Sequence, residues 1–449
     1  MAWTDRLVQL PALGDPYRSE RDSIAALLAT PADPALHATA RETAARWIRA
    51  VRATPPGVLS AQNLLATFPL ASAEGVALLR LAEALLRAPD PETQSWLIAE
   101  KLAAFRGAAP AAAGEGLVAR VLAGALRIAG QVSAPVDLRS SDASGIREWL
   151  ARSTLRPLVI EGIRRFGEQF VFAATLDEAL ERATHRPDVR VTHSFDMLGE
   201  GARTAEDADR SFGSYRAAID SLAAAGKTGH FSQRDGISIK LSAIHPRFET
   251  SQLERVEGEL YERLRALALQ ACDADVNFTI DAEESERLVL HVALVERLMR
   301  EPRLAGWEGL GLAVQAYQTR AAATVDYLLA KIAELKRPLA IRLTKGAYWD
   351  AEIKRAQELG LPGFPVFTRK WATDVSYAVI AQRLLTADVP VFPQFATHNA
   401  LTAAWVCAVA DAVAPKKRFE FQRLHGMGEA FFRTILAERP TAAVRIYAP

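Results

Sequence analysis

Eight short apolar runs, each separated from the next by a stretch long enough for a helix, predict an α/β protein built on a (β/α)8 TIM barrel. The first third of the chain has no such runs. It is rich in Ala, Leu, Arg and Glu, which predicts an all-helical arm and a small α-domain ahead of the barrel. Polar and charged residues recur at the C-terminal ends of the runs, where a barrel of this kind builds its site. A doubly wound sheet is the alternative, but it usually has fewer strands and often a glycine-rich first turn.

At 449 residues the chain can hold one large domain and a smaller one. The expected division is a helical arm over 1–54, a small helical domain over 55–130, a linker over 131–153 and the barrel over 154–449. Half the residues are hydrophobic, a quarter are charged and the net charge is +1, a balance that argues against a general nucleic-acid binder. No apolar run has membrane-spanning length, and the first residues lack the apolar core of a secretory signal. Two cysteines, Cys272 and Cys407, fit a reducing compartment, so the expected location is cytoplasmic.

Along the helical third, the proline pair at Pro31 and Pro34 separates two helical pieces, and Pro55-Pro56-Gly57 makes the next break. Ser72 is placed to cap a helix whose Val76, Leu79, Leu81, Leu85 and Leu86 share a broad face. No glycine-rich phosphate loop or Cys/His cluster appears there, so a packing or dimerising role is expected. An arm of this kind suits a homodimer.

After an amphipathic helix over 156–170, the strands are expected at 189–197, 236–242, 275–282, 310–317, 338–346, 389–397, 419–426 and 443–449. The gaps at 204–225, 252–271, 284–300 and 319–336 carry helical periodicity. Asp196 and Glu200 close the first strand, Lys240 sits late in the second, and Asp281, Glu283 and Glu284 follow the third. Gln315 and Tyr317 end the fourth; Arg342, Lys345, Tyr348 and Trp349 end the fifth. Thr397, His398 and Asn399 end the sixth, Gln422, Arg423, Leu424 and His425 the seventh, and Tyr447 the eighth. Singly, each has a plain structural reading: Asp281 could cap the next helix, and Lys240 could pair with a nearby carboxylate. A buried Arg342 demands an anionic or strongly accepting partner. Together the residues point to a functional mouth with no metal-like ligand set. Two chemistries remain open from residue types alone. One is a Schiff-base lyase using Lys240 or Lys345; the other is a cofactor enzyme whose polar groups orient an organic ring and its phosphates.

Seven motifs then carry a resemblance. They are Ser194-Phe-Asp-Met-Leu-Gly-Glu200, Ser238-Ile-Lys-Leu-Ser-Ala-Ile-His-Pro-Arg247, Thr279-Ile-Asp-Ala-Glu-Glu284 and Val314-Gln-Ala-Tyr-Gln318. The other three are Arg342-Leu-Thr-Lys-Gly-Ala-Tyr-Trp-Asp350, Gln394-Phe-Ala-Thr-His-Asn399 and Phe421-Gln-Arg-Leu-His-Gly-Met-Gly428. In this order they resemble the proline dehydrogenase domain of the bacterial proline utilization A family, and the helical third resembles that family's arm and small α-domain more weakly. The resemblance implies FAD-dependent oxidation of L-proline to Δ1-pyrroline-5-carboxylate, the first step of proline catabolism to glutamate, by hydride transfer to flavin N5. By position, Arg342 approaches N5. Gln315, Lys345, Gly346, Ala347, Trp349, Thr368, Lys370, Thr397, His398, Asn399 and Gln422 match the other flavin contacts. Lys240 matches the lysine that meets the proline carboxylate, and Asp281, Tyr348, Leu424 and Tyr447 match groups shaping the proline pocket. The implied electron acceptor is a membrane quinone, reached by peripheral contact with the inner membrane.

The resemblance has limits. No ribbon-helix-helix segment precedes the arm, so no nucleic-acid partner is expected, and no aldehyde dehydrogenase half follows. The chain ends at Pro449, before the family's helix with two carboxylate-clamping arginines and a flavin-contacting Glu. Each lost charge-assisted bond is worth roughly 1.5–3 kcal/mol, so proline affinity is expected to fall on the order of a hundredfold or more. The other reading is a flavin-poor fold or assembly fragment of the same enzyme.

Overall fold

The computed structural model describes residues 13–30, 33–53, 171–185, 188–197, 201–225 and 229–449. The expected Ser72 cap, the small domain over 55–130, the linker over 131–153, the helix over 156–170 and Glu200 lie outside the described residues. The chain forms two compact units, one of residues 1–51, 180–424 and 428–449, the other of residues 52–179 and 425–427. In the second unit, the Phe172 ring meets His425 edge-on at 5.0 Å.

The first unit contains a closed barrel of eight parallel strands in sequence order. They are β1 Val191–Asp196, β2 Gly236–Ile239, β3 Asn277–Ile280, β4 Leu310–Gln315, β5 Leu339–Thr344, β6 Val391–Ala396, β7 Glu420–Leu424 and β8 Val444–Ala448. Closure comes from β1 pairing with β8 in the register Ser194↔Tyr447. All eight expected runs contain a strand. Each is shorter than its run, because the polar residues at the run ends leave the ladder for the loops of the mouth.

Side chains alternate between the two faces of a strand. Outward-facing Ile237, Ile239, Phe278, Leu312, Ile341, Leu343, Phe395 and Phe421 are all but fully buried. They form the layer between sheet and helices, as in any parallel sheet covered on its outer face. The other phase fills the barrel. Phe231, Ala340 and Phe392 pack together at its N-terminal end. Ser194, Ser238, Arg342 and Gln394 lie at mid-height, and Asp196, Lys240, Asp281, Gln315 and Gln422 lie nearer the mouth. The polar phase and the apolar phase therefore sort themselves by strand periodicity alone.

The helices follow the expected gaps. They include α1 Glu20–Leu28, α2 Pro34–Ala53, α3 Leu176–Thr184, α4 Ala205–Ala224, α5 Tyr261–Ala274, α6 Leu288–Met299 and α7 Ala321–Leu335. After them come α8 Trp349–Glu358, α9 Lys370–Thr386, α10 Ala400–Val413 and α11 Glu429–Glu438. Helix α4 begins at a capping box, with Thr204 and Asp207 exchanging side chain-to-backbone bonds. The described part of the arm packs on the barrel of its own chain. Leu27 of α1 joins a cluster with Phe367 and Ala372. Trp47 of α2 donates to Glu438 at 2.7 Å, and that carboxylate also pairs with Arg46. No helix among the described residues is long and apolar enough to cross a membrane.

Candidate active site

Arg342 leaves β5 at mid-barrel and is 3 % exposed. Its guanidinium is held from three strands: Nη1 donates to Asp281 at 2.5 Å, and Nη2 donates to Ser194 at 3.1 Å and Ser238 at 3.0 Å. The two serine hydroxyls also bond each other at 2.9 Å. Its Nε has no hydrogen-bond partner among the described residues. A buried donor left open is costly unless something outside the protein fills it. The Tyr447 ring lies 5.3 Å from the guanidinium, and its hydroxyl donates to the second oxygen of Asp281 at 2.7 Å. The helix-capping reading of Asp281 is thus replaced by a hub between a cation and a phenol. Burial, reinforced by the nearby Asp196 carboxylate, pushes the Asp281 carboxyl upward, against the opposing pull of Arg342, Lys240 and Tyr447.

Lys240 stands just past β2, with Nζ 2.9 and 3.2 Å from the two oxygens of Asp196. Burial alone would lower its ammonium, but the carboxylates of Asp196, Asp281 and Glu283 outweigh that and hold it above the usual lysine range. Lys345 and Lys370 converge on Asp374, at 2.5 and 2.6 Å. Burial would raise the Asp374 carboxyl, yet these two bonds hold it low. Gln315 spans its strand end: Nε2 donates to the Glu283 carbonyl at 2.9 Å, and Oε1 accepts from the Ala347 amide at 2.9 Å. The His398 imidazole is shifted down by burial and then by Arg423. Its Nε2 accepts from the Leu424 amide at 3.1 Å, which places the neutral ring's proton on Nδ1.

These groups enclose a cavity of about 670 Å³ at the C-terminal end of the barrel. Lys240, Asp281, Gln315, Arg342, Lys345, Gly346, Ala347 and Tyr348 line it, as do Lys370, Thr397, His398, Asn399, Gln422, Leu424 and Tyr447. Of the residues that the resemblance assigns to the site, two are not in that lining. Trp349 is 42 % exposed and donates its indole N–H to the Phe367 carbonyl at 2.9 Å. Thr368 donates both its amide and its hydroxyl to Glu20 of α1, at 3.1 and 2.8 Å.

Sequence reasoning missed Ser194, Ser238, Glu420 and Asp374. The first three share the inward phase of Asp196, Lys240 and Gln422, each two positions away along the chain. That alternation was the available signal.

Glu283 offers a pH test. Burial would raise its carboxyl, but His291, the Ser242 amide and Arg287 hold it at about 2, against an ordinary 4.5. A folded-state value below the unfolded one contributes stability above about pH 4.5, and that contribution is lost as pH falls towards about 2. Its full size is on the order of 3 kcal/mol. Glu283→Gln is expected to lose most of this at pH 6 and under half of it at pH 3. Denaturant unfolding of both proteins at the two pH values checks it, and an equal deficit at both would refute it.

Among the described residues no group of three or more His, Cys, Asp and Glu could hold a metal ion. The chain is similar to proteins already known. Residues 179–449 match the family described as proline dehydrogenase, and residues 60–170 match one described as the DNA-binding domain of proline dehydrogenase. The latter description leaves the expectation of no nucleic-acid partner without support. The "Bifunctional protein PutA" of Escherichia coli K12 is 42% identical over 396 residues, covering 86% of this chain and 30% of that protein. Its counterpart in Rhizobium meliloti is 40% identical over 418 residues, covering 91% of this chain and 33% of that protein. The chain therefore spans about a third of the length of the curated relatives it matches. A crystal structure of a mutant Bradyrhizobium japonicum Proline Utilization A (PutA) superposes with a TM-score of 0.74 at 40% identity, covering 97% of this chain and 44% of that one.

Proposed function

The chain belongs to the proline dehydrogenase family, and on that premise we propose that it binds FAD in the barrel mouth and oxidises L-proline to Δ1-pyrroline-5-carboxylate. The observation that carries the reading is Arg342, a buried cation in the lining of a cavity of about 670 Å³, its Nε unpartnered among the described residues. That volume is within the usual range for a cofactor site. FAD, when bound, supplies the two-electron oxidant. The chain's own residues supply the rest. Arg342 places fixed positive charge where negative charge develops, and it needs no reorganisation because Asp281, Ser194 and Ser238 already hold it. Lys345 and Lys370 flank the cavity with two cations suited to phosphate. Gln315, Thr397, His398, Asn399 and Gln422 offer polar atoms around a ring, while Gly346 and Ala347 let backbone approach it.

Lys240 is the cation for the proline carboxylate, steadied by Asp196. Tyr348, Leu424 and Tyr447 give the apolar faces against which the pyrrolidine ring can pack. The Schiff-base alternative loses ground for a physical reason: a nucleophilic lysine must be neutral. Lys240 is held above its ordinary pKa, and Lys345 is paired with Asp374. The rest of the reading rests on the resemblance: a membrane quinone as electron acceptor, a cytoplasmic location with peripheral membrane contact, and a homodimer.

The test is spectroscopic. Purified protein supplied with FAD is expected to hold it, with the bound flavin's absorbance perturbed saturably by the proline analogue tetrahydrofuroic acid and bleached anaerobically by L-proline. Colourless protein that takes up no FAD would favour the flavin-poor fragment instead. Borohydride trapping of a carbonyl compound on Lys240 would favour the lyase.

A further inference from the structure

Beneath the cavity floor, the carboxylate of Glu420 is fully buried, at 0 % exposure. Its Oε1 accepts from Gln394 Nε2 at 2.9 Å, Gln422 Nε2 at 2.8 Å and Arg445 Nε at 2.7 Å, and its Oε2 accepts from Arg445 Nη2 at 3.1 Å. Arg445, 2 % exposed, is anchored in turn on the carbonyls of His193, Arg234 and Ser232. None of these contacts takes part in the proposed reaction, in which Gln422 is only a side chain in the lining. The network nevertheless dictates what that side chain presents. A carboxylate paired with an arginine has acceptors only, so the end of each glutamine that meets it must be the NH₂. With its nitrogen committed to Glu420, Gln422, a residue of the cavity lining, has one polar atom left, Oε1. Gln394 is fixed in the same sense: its Oε1 is buried without a hydrogen-bond partner, beside Arg342 in the β5–β6 register.

We infer that Glu420 is a positioning residue that locks the Gln422 amide with its carbonyl oxygen towards the mouth, so that the site selects a ligand ring carrying an N–H donor at that point. The inference rests on the flavin reading for its ligand, since a flavin ring carries one such donor, the imide N3–H. Without Glu420 the amide can turn over and offer NH₂ instead, and the selection is lost. Arg445 orients the carboxylate through two bonds, which makes the effect depend on the pair.

Two measurements test it separately. In protein labelled with ¹⁵N-glutamine and free of cofactor, the side-chain amides of Gln422 and Gln394, assigned by replacing each with Leu, are expected to exchange slowly with solvent. Glu420→Gln is expected to speed that exchange at least about tenfold, since one net hydrogen bond is worth about that factor. Because Glu420→Gln leaves Arg445 buried and unpaired, a second variant, Glu420→Leu with Arg445→Leu, removes both charges and is expected to give the same acceleration in a folded protein. The second measurement compares binding of FAD with FAD methylated at N3, by fluorescence quenching. The unaltered chain is expected to prefer FAD by at least about tenfold. Gln422→Leu is expected to abolish that preference and Glu420→Gln to reduce it to near parity. Unchanged amide exchange in both Glu420 variants would overturn the positioning role whatever the ligand. A preference for FAD that survives Glu420→Gln would overturn the selection. Failure of any chain to bind FAD, with the exchange result as expected, would leave Glu420 in its role and count against the flavin reading.

Discussion

Arg342→Met is expected to cost proline oxidation about 10²–10³-fold in kcat, the usual loss when one preorganised charge donor is removed from a water-poor site. The same change strands Asp281, which is 6 % exposed and whose other partner is the Tyr447 hydroxyl. Removing one member of a buried pair costs about 3–5 kcal/mol, because the remaining charge has lost both water and its counter-ion. The two effects separate in a second variant. Arg342→Met with Asp281→Asn no longer buries an unpaired charge, so most of the stability is expected to return while the rate does not. Thermal unfolding and steady-state proline oxidation with an artificial acceptor read the two quantities independently. A double variant that recovers activity along with stability would mean that Arg342 serves the fold and not the reaction.

What the amino-acid sequence discloses of this arrangement follows from how far each contact reaches. The strands are legible because each is a local run whose period is set within a few residues. The polar strand ends are legible for the same reason, so most of the mouth could be named residue by residue. The partners within it could not. Arg342 meets Asp281 across 61 residues of chain and Ser194 across 148, and Tyr447 meets Asp281 across 166. Those pairs exist because β1 closes on β8 in one register, a property of the whole barrel and of no segment in it. Glu420 illustrates the same limit. It opens β7 as one charged residue beside Phe419 and Phe421, and only Arg445, one strand later, gives it a role. Thr368 departs in the other direction. Its position matches a cofactor contact in the resemblance, and here a carboxylate from α1, 348 residues earlier, takes both of its donors.

Gly346→Ala is expected to damage both the cofactor site and the fold through a single methyl group. Gly346 has φ +151, which L side chains rarely adopt, and a Cβ there would sit 2.3 Å from Tyr317 Cδ2 and 2.4 Å from its Cγ. The ring has little room to retreat. Tyr317 is 3 % exposed, its amide donates to the Lys345 carbonyl at 2.8 Å, and its carbonyl accepts from the Phe367 amide at 2.7 Å. The backbone strain and the overpacking are each expected to cost about 1–3 kcal/mol. Because Gly346 and Ala347 border the cavity, the displacement falls on the cofactor side, and FAD affinity is expected to drop by about tenfold or more for each 1.4 kcal/mol transmitted. Shrinking the opposing ring distinguishes the two causes. Tyr317→Leu alone should destabilise the protein, but combined with Gly346→Ala it relieves the clash, so the two changes are expected to couple favourably by about 1–3 kcal/mol. The φ penalty would remain, because it belongs to the backbone at that position. Thermal unfolding of the four proteins in that cycle, with FAD titrations alongside, gives the answer. Additive losses would show that the Tyr317 contact is not what requires a glycine at this turn.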